Sequence, residues 1–196
     1  MFNPGTPARP PGRRLMILTA HDKTLSILLD SLGITTEILS RSGLPAYADA
    51  QEVALAETAS DGRRHFLVPE AAHAWQAMKH AARLDGVVID IVSAFRDIHE
   101  QADIIRDKLR RGMPMDTILT LSAPPGYSEH HTGRAIDVNT PGCPPREEPF
   151  EHTEAFRWLL LHAERFRFAL SYPRGNPLGF IYEPWHWCYQ AVDSAA

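Results

Sequence analysis

The sequence has few cysteines and no long hydrophobic run, and each shortage excludes a class of protein. Its 196 residues include two cysteines, Cys143 and Cys188, which are not arranged as C-x-x-C. A disulfide framework and a cysteine-ligated zinc knuckle are therefore not predicted. No apolar stretch approaches the ~20 residues that span a bilayer, so no membrane segment is predicted either.

Basic residues are also too scattered to indicate a nucleic-acid partner. The formal net charge is -4, and the densest basic cluster, between Arg9 and Arg14, is interrupted by prolines and a glycine. The apolar run at residues 15–20 is too short, and too soon followed by charged residues, to form the hydrophobic region of a signal peptide. We therefore expect a cytoplasmic protein, or a periplasmic one if the chain has been trimmed.

A chain of 196 residues is most simply one domain with a substantial core. Residues 1–14 hold four prolines and two glycines, a composition that predicts a disordered lead-in. Residues 15–67 are expected to form a helical extension packed on the domain, with helices over 21–32 and 49–58. Residues 68–190, which carry every motif described below, are expected to form the core.

Apolar periodicity and capping residues predict the elements of the core. Helices are predicted from an initial proline, an Asp–Glu capping pair or an apolar stripe, at 69–85, 97–111 and 153–167. Strands are predicted from short β-branched or alternating runs, at 87–92, 134–139, 168–172 and 179–182. Together they predict an α+β fold in which helices flank a small central antiparallel sheet, with a metal site in a cleft beside the sheet.

Two segments far apart in the sequence indicate that metal site. The stretch from Ser128 to Asp137 contains two adjacent histidines and a carboxylate, and residues 183–187 place a glutamate and a histidine among tryptophans. Nitrogen and oxygen ligands of this kind suit zinc better than calcium or magnesium. Three protein ligands with a fourth position left for water are typical of a catalytic zinc.

Spacing alone does not decide which histidine of the adjacent pair binds the metal. On an unbroken strand His130 and Asp137 would point to opposite faces, and His131 would pair better with Asp137. Gly133 can break the strand, because glycine adopts backbone angles that other residues avoid. Cys188, two residues after His186, is expected to be a small buried neighbour of the site.

The order of these residues resembles that of the zinc D-Ala-D-Ala carboxypeptidases of the VanY type. The chain matches S-x-H-x-x-G-x-A-x-D from Ser128 to Asp137, and E-x-x-H from Glu183 to His186. An upstream S-x-x-R that ends at Arg96 also matches the family, with a glutamine five residues later. Three motifs in the right order are far more specific than any one of them.

The resemblance implies a zinc ion with three protein ligands, which are His130, Asp137 and His186. Glu183, three residues before a ligand, is predicted to be the general base that takes a proton from water. The resemblance implies that Arg96 stabilises the oxyanion of the transition state. The resemblance also implies residues that bind the substrate and its terminal carboxylate. Our candidates for them are Ser128, Gln101 and Trp185.

The expected function is that of a zinc-dependent carboxypeptidase that removes the terminal D-Ala from peptidoglycan stem peptides. An alternative is an L,D-carboxypeptidase that trims tetrapeptide muropeptides in the cytosol during wall recycling. A zinc module that binds wall peptides without catalysis is a further alternative, although such a module has no use for a general base at Glu183. An endopeptidase that cuts cross-links would need an open cleft in place of a carboxylate pocket.

Overall fold

A computed structural model describes residues 20–191, which form an α+β fold with two small antiparallel sheets. The disordered lead-in predicted for residues 1–14 lies outside this range. The helices are α1 (Ala20–Ser31), α2 (Thr36–Ser42), α3 (Pro69–Leu84), α4 (Ile98–Arg110), α5 (Met115–Leu121) and α6 (Glu154–His162). The strands are β1 (Ala54–Thr58), β2 (Arg64–Leu67), β3 (Asp90–Ser93), β4 (Ala135–Asn139), β5 (Phe168–Leu170) and β6 (His186–Tyr189).

Four short strands form the central sheet, in the order β3-β4-β6-β5, and each neighbouring pair is antiparallel. Strands β1 and β2 form a separate hairpin. The predicted small antiparallel sheet flanked by helices is therefore confirmed. Among the described residues, no helix combines the length and the apolar character needed to cross a membrane.

The main hydrophobic core lies between the sheet and the helices α3 and α6. Trp75 and Met78 of α3 are fully buried, and they pack in one cluster with Ile136 of β4 and Leu159 of α6. A second cluster joins α1, α4 and α5, and its fully buried members include Ile105 and Ile118. The apolar stripes of these helices account for both clusters.

The helix α4 begins at the predicted capping box, directly beside the sheet. The Asp97 carboxylate accepts hydrogen bonds from the backbone N–H groups of His99 and Glu100, at 2.9 and 2.8 Å. The Glu100 carboxylate accepts in return from the Asp97 N–H at 3.4 Å. This reciprocal cap satisfies N–H groups that the first helical turn leaves unpaired, and it fixes the chain between β3 and α4.

The helix predicted over 49–58 is wrong, because residues Ala54–Thr58 form strand β1. The alanines of this segment favour a helix, but intrinsic propensity is a small free energy, and here the pairing of β1 with β2 overrides it. A tight turn joins the two strands, in which Gly62 adopts a φ of 84°. The extension over 15–67 is thus only partly helical, and its boundary with the core at residue 68 stays a prediction.

The strand predicted over 179–182 is also wrong, since these residues have no strand partner. Their backbone bonds to other parts of the fold instead. The N–H of Ile181 donates to the carbonyl of Thr120 in α5 at 3.1 Å, and the carbonyl of Phe180 accepts from the side chain of Asn176 at 2.9 Å. The segment therefore closes over the end of α5.

The hairpin is joined to the core by the buried carboxylate of Glu57 in β1, which is 8% exposed. This carboxylate accepts hydrogen bonds from the indole N–H of Trp75 at 2.9 Å and from the backbone N–H of Ile91 at 3.2 Å. It also forms an ion pair with Lys79 at 2.8 Å. One side chain thus connects β1, α3 and β3.

Glu57→Ala should lower the free energy of unfolding by roughly 2–4 kcal/mol, because it leaves two buried donors without an acceptor. Urea unfolding followed by circular dichroism measures the change. Glu37→Ala is the matched control, since Glu37 pairs with Arg41 on an exposed face of α2 and should cost about 0.5 kcal/mol or less. Equal losses in the two variants would contradict the connecting role of Glu57.

Candidate metal centre

The register of the central sheet brings two of the predicted ligands together. Asp137 of β4 lies directly opposite His186 of β6 in the antiparallel ladder. On the other side of β4, Asp137 is paired with Ser93, the last residue of β3. Adjacent strands place the side chains of directly paired residues on the same face of a sheet. The two ligands therefore project together, beside the chain that leaves β3.

The third ligand, His130, reaches this face because the chain before β4 is not a strand. Residues Glu129–Thr132 form a 3₁₀ helix that ends at Gly133, which has a φ of 64°. A Cβ atom at Gly133 would lie 3.1 Å from a side-chain carbon of Val68 and 3.2 Å from its backbone nitrogen, so a larger residue would be crowded as well as strained. The break resolves the choice that spacing left open, and it places His130, not His131, beside Asp137.

The three side chains form a buried group that could hold a metal ion, and their ligand atoms all lie within 4.8 Å of one another. One oxygen of Asp137 lies 3.4 Å from Nε2 of His130 and 3.1 Å from Nδ1 of His186. Zinc in tetrahedral coordination, with ligands at about 2.05 Å, separates its ligand atoms by about 3.3 Å. The donor types and these two distances fit zinc.

Each imidazole is oriented by a hydrogen bond at its outer nitrogen. Nδ1 of His130 lies 2.6 Å from the carbonyl of Ala94, so it carries the proton and leaves Nε2 free to bind a metal. Nε2 of His186 lies 2.9 Å from the carboxylate of Glu129, which leaves Nδ1 directed at Asp137. Glu129 is held in turn by the hydroxyl of Ser171 at 2.6 Å. Partners of this kind fix the ring and tautomer of metal-binding histidines.

Burial and charge set the protonation of the group. Burial disfavours the charged form of Asp137, but the two neighbouring histidines hold the pKa of its carboxyl well below the usual value. Burial, together with Arg96, lowers the pKa of His130 to about 4, so this imidazole is neutral, as a ligand must be. Burial opposes the charge of His186, yet hydrogen bonds to Asp137 and Glu129 raise its pKa to about 10. A metal ion at this site therefore displaces a proton from His186.

His131 and Cys188 lie near the group without belonging to it. Nδ1 of His131 donates to the carbonyl of Arg96 at 2.7 Å, and its Nε2 accepts from the N–H of Gly126 at 3.0 Å. Both ring nitrogens are therefore used to hold the loops around the site. The thiol of Cys188 is buried beside the backbone carbonyl of Tyr189, which agrees with a small packing residue.

Glu183, the predicted general base, lies beside the metal group. Its carboxylate lies 3.8 Å from Nδ1 of His186, and its side chain is 12% exposed. The backbone N–H of Glu183 donates to the carbonyl of Tyr172, and a turn closes from the N–H of His186 to the carbonyl of Glu183. Burial raises the pKa of Glu183 to about 7, which outweighs the opposing effect of nearby positive charges.

Arg96 lies on the loop between β3 and α4. One of its terminal nitrogens donates to the hydroxyl of Ser93 at 3.0 Å, while its buried Nε has no hydrogen-bond partner among the described residues. Burial lowers the pKa of Arg96 from its usual value. No carboxylate in the described part of the chain pairs with Arg96 directly, so its side chain offers a cation to a ligand.

A cavity of about 270 Å³ lies against the metal group. Its lining contains all five of the other residues predicted for the site, namely Arg96, Gln101, Ser128, Glu183 and Trp185. Trp187, the second tryptophan of the C-terminal motif, turns into the core, where it packs on Phe156. Trp185 lies just before β6 and borders both the cavity and this core cluster.

The side chains of the two predicted carboxylate-binding residues are both buried. The amide nitrogen of Gln101 donates to the carbonyl of Ala123 at 2.8 Å, and its oxygen has no partner among the described residues. The hydroxyl oxygen of Ser128 accepts from the N–H of His130 at 3.3 Å, so its own proton is left for another acceptor. Ser128 can therefore donate to a ligand in the cavity, whereas Gln101 exposes an acceptor to it.

Four residues around the site were not predicted from the sequence: Glu129, Tyr172, Lys108 and Arg146. Glu129 occupies the variable position of S-x-H, and the need of a ligand histidine for a carboxylate partner is the signal that could have found it. The ring of Tyr172 lies 4.6 Å from that of His186. The other two reach the cavity only through the packing of a helix and a loop, which no local pattern reveals.

Comparison with known proteins assigns the chain to a family. Residues 64–192 match the family model of VanY, described as D-alanyl-D-alanine carboxypeptidase, and the chain belongs to this family. A D-alanyl-D-alanine carboxypeptidase of Enterococcus faecalis is 31% identical over 130 residues, which are 61% of this chain and 47% of that protein. The chain spans about half the length of the first curated relatives that it matches.

Solved structures share the fold. A mutant of the vancomycin-resistance D,D-pentapeptidase VanY from a VanB-type cassette, in complex with Zn(II), is 30% identical with a TM-score of 0.59 and covers 76% of this chain and 83% of that chain. The LD-carboxypeptidase LdcB is 25% identical with a TM-score of 0.65, and the match covers 74% of this chain and 71% of that chain. Zinc in the first of these agrees with the ligand group found here.

Glu129→Ala should weaken zinc binding by roughly 10- to 100-fold, because His186 loses the partner that orients its ring. Competition with a coloured chelator measures the dissociation constant directly, without any substrate. Glu52→Ala is the control, since Glu52 is exposed and lies outside the metal group. Equal zinc affinity in the two variants would refute the orienting role of Glu129.

Glu183→Gln should stabilise the metal-free protein in a pH-dependent way. The folded pKa of about 7 lies above the unfolded value, so ionisation of Glu183 opposes folding. Below the pKa that Glu183 has in the unfolded chain, its carboxyl is neutral and its burial costs the wild-type protein no stability. As the pH rises from that value through the folded pKa of about 7, the carboxyl ionises and the wild-type protein loses stability. We expect a gain of roughly 2–3 kcal/mol at pH 8, and less than half of that at pH 5.

Urea unfolding of wild type and Glu183→Gln at both pH values, with metal removed by chelation, tests this expectation. Glu52→Gln serves as the exposed control and should shift stability by about 0.5 kcal/mol or less at either pH. A Glu183→Gln variant that is no more stable than wild type at pH 8 would show that the carboxylate is not buried as described.

Proposed function

We propose that the protein is a zinc-dependent carboxypeptidase that hydrolyses the C-terminal D-Ala peptide bond of peptidoglycan stem peptides. One observation carries the proposal: a buried group of two imidazoles and a carboxylate lies on the floor of a cavity, with the carboxylate of Glu183 3.8 Å from one ligand. Membership of the VanY family supports the choice of substrate. Zinc, when bound by His130, Asp137 and His186, would acidify a water molecule and polarise the peptide carbonyl.

The residues around the ligands would then carry the proton and the charge. Glu183 would take a proton from water and pass it to the nitrogen of the departing D-alanine, and its raised pKa suits a group that must both accept and donate near neutral pH. Arg96, an unpaired cation in the same cavity, would face the oxyanion. Trp185 would exclude water from one wall of the cavity.

Recognition of the free C-terminus would use donors that line the cavity. The hydroxyl of Ser128 has a proton available for an acceptor, which supports its proposed contact with the terminal carboxylate. The free oxygen of Gln101 is an acceptor, so we propose that it binds a peptide N–H of the substrate. A cavity with these groups suits an exopeptidase better than an enzyme that cuts within a chain.

A second candidate is an L,D-carboxypeptidase that acts on tetrapeptides, and the similarity to LdcB supports it. The two candidates would differ in their effect inside the cytoplasm. A D,D-enzyme there would consume the pentapeptide precursor of the wall, whereas an L,D-enzyme would trim only recycled tetrapeptides.

Incubating the zinc-loaded protein with pentapeptide and tetrapeptide muropeptides, and weighing the products by mass spectrometry, distinguishes the candidates. The proposal predicts loss of one D-alanine from the pentapeptide and none from a pentapeptide whose C-terminus is an amide. Loss from the tetrapeptide alone would establish the second candidate. Cleavage of the amide at an unchanged rate would point to an endopeptidase.

Glu183→Ala provides the control for catalysis itself. It should lower kcat by at least about 100-fold while the protein still binds one zinc, because Glu183 is not a ligand. If neither wild type nor the variant releases D-alanine although both bind the peptide, the protein is a non-catalytic wall-peptide module. Wild-type turnover in the variant would refute Glu183 as the base.

A further inference from the structure

The cavity continues past the metal group along helix α4. Gln101 and Lys108 both line it, and they lie seven residues apart on that helix, which places them on the same face. A rise of 1.5 Å per residue separates their backbones by about 10 Å along the helix axis. Arg146, from the loop after β4, lines the same cavity. Lys108 and Arg146 therefore add two cations that the proposed hydrolysis does not use.

Neither cation forms an ion pair with a described carboxylate, although Glu183 is near enough to raise the pKa of Lys108 against the effect of burial. Nζ of Lys108 donates to the hydroxyl of Ser122 at 2.7 Å, and Arg146 forms no ion pair with any described carboxylate. Glu148, two residues after Arg146, pairs with Arg174 instead. The acids next to Arg146 in sequence are thus not used to neutralise it.

The positive charges of the cavity also act on one another. The pKa of Lys108 is lowered first by burial and next by Arg146, and the pKa of Arg96 is lowered by burial and by Arg146 as well. Arg146 moreover has a φ of 58°, in the left-handed region that non-glycine residues rarely adopt. Like charges held at a cavity repel one another in the free protein, and a bound anion would offset that repulsion.

The charges that line the cavity indicate how many anionic groups of a ligand it can bind. A divalent ion on the metal group would be balanced by the carboxylates of Asp137 and Glu129, while Glu183 offsets Arg96. Lys108 and Arg146 then remain as two uncompensated positive charges in the lining. The carboxylate at the substrate's C-terminus would neutralise only one of them. The cavity is therefore suited to a peptide with a second carboxylate.

We propose that Lys108 and Arg146 form an anion subsite that binds a carboxylate group of the peptide substrate. The inference rests on the proposed function and adds a preference for acidic peptides to it. Two carboxylates can supply the chemistry: the free C-terminus, or an acidic group on a residue upstream of the scissile bond. The distance of Lys108 from Gln101 along α4 favours the upstream group, because the departing residue spans only about 3.5 Å.

The test uses two D-Ala-terminated pentapeptides that differ only in whether an upstream carboxylate is free or amidated. Their dissociation constants are measured by calorimetry on zinc-loaded Glu183→Ala protein, so that binding is observed without turnover. Glu183→Ala should bind the acidic peptide at least about 10-fold more tightly than the amidated one. Adding Lys108→Gln or Arg146→Gln should remove most of that preference, since a hydrogen bond to a charged group accounts for about 10- to 100-fold.

Arg111→Gln is the matched control, because it removes one positive charge from the exposed end of the same helix. It should leave the preference unchanged. If the C-terminal carboxylate occupies the subsite instead, Lys108→Gln and Arg146→Gln will weaken the binding of both peptides equally. The two substitutions will then have no effect on the binding of a peptide whose C-terminus is an amide. If both variants bind both peptides as tightly as Arg111→Gln does, the subsite does not exist.

Kinetics on the wild-type background separate this inference from the proposed function. Lys108→Gln and Arg146→Gln should raise KM for the acidic peptide by about 10-fold or more and leave kcat nearly constant, as expected for a group that holds substrate and takes no part in the chemistry. Absence of turnover in wild type would overturn the proposed function, while the binding preference would still establish the subsite.

Discussion

The site depends on one buried carboxylate, that of Asp137, lying between two imidazoles. An isolated carboxylate in such a place would lose several kcal/mol of solvation. In the metal-free protein Nδ1 of His186, which carries a proton, lies 3.1 Å away and keeps it charged, and a metal ion would bind to the same three side chains. The positions of the three ligands follow from backbone geometry. The pairing of β4 with β6 places His186 beside Asp137, and the turn at Gly133 places His130 there.

The two halves of the site have different origins in the fold. The sheet, with the 3₁₀ helix before β4, supplies the metal ligands and the partners that orient them, Ala94 and Glu129. Helix α4 and the loops around it supply the cavity in which a peptide would lie. The capping box of Asp97 joins these two halves, because it fixes the chain between Arg96, on the loop after β3, and Gln101, in the first turns of α4.

The kinds of ligand could be predicted from the sequence because zinc chemistry restricts residue type, whereas the choice of His130 over His131 came from the resemblance to the VanY family and not from spacing. Local rules also sufficed for α3 and α4, whose first turns carry proline and a capping pair. The hairpin was missed because its strands are stabilised by contacts with α3, through Glu57, more than by their own propensity. Glu129, Lys108 and Arg146 were missed for a related reason: each acquires its role only when distant segments pack together.

X-ray absorption at the zinc edge, on protein purified with zinc, would identify the atoms that bind the metal. We expect one zinc per chain, with two imidazole nitrogens and carboxylate or water oxygen in its coordination sphere and no sulfur. In His186→Ala the metal should be lost or bound with a single imidazole. A sulfur ligand, which would implicate Cys188, or an unchanged spectrum in His186→Ala, would contradict the ligand group on which the proposed enzyme depends.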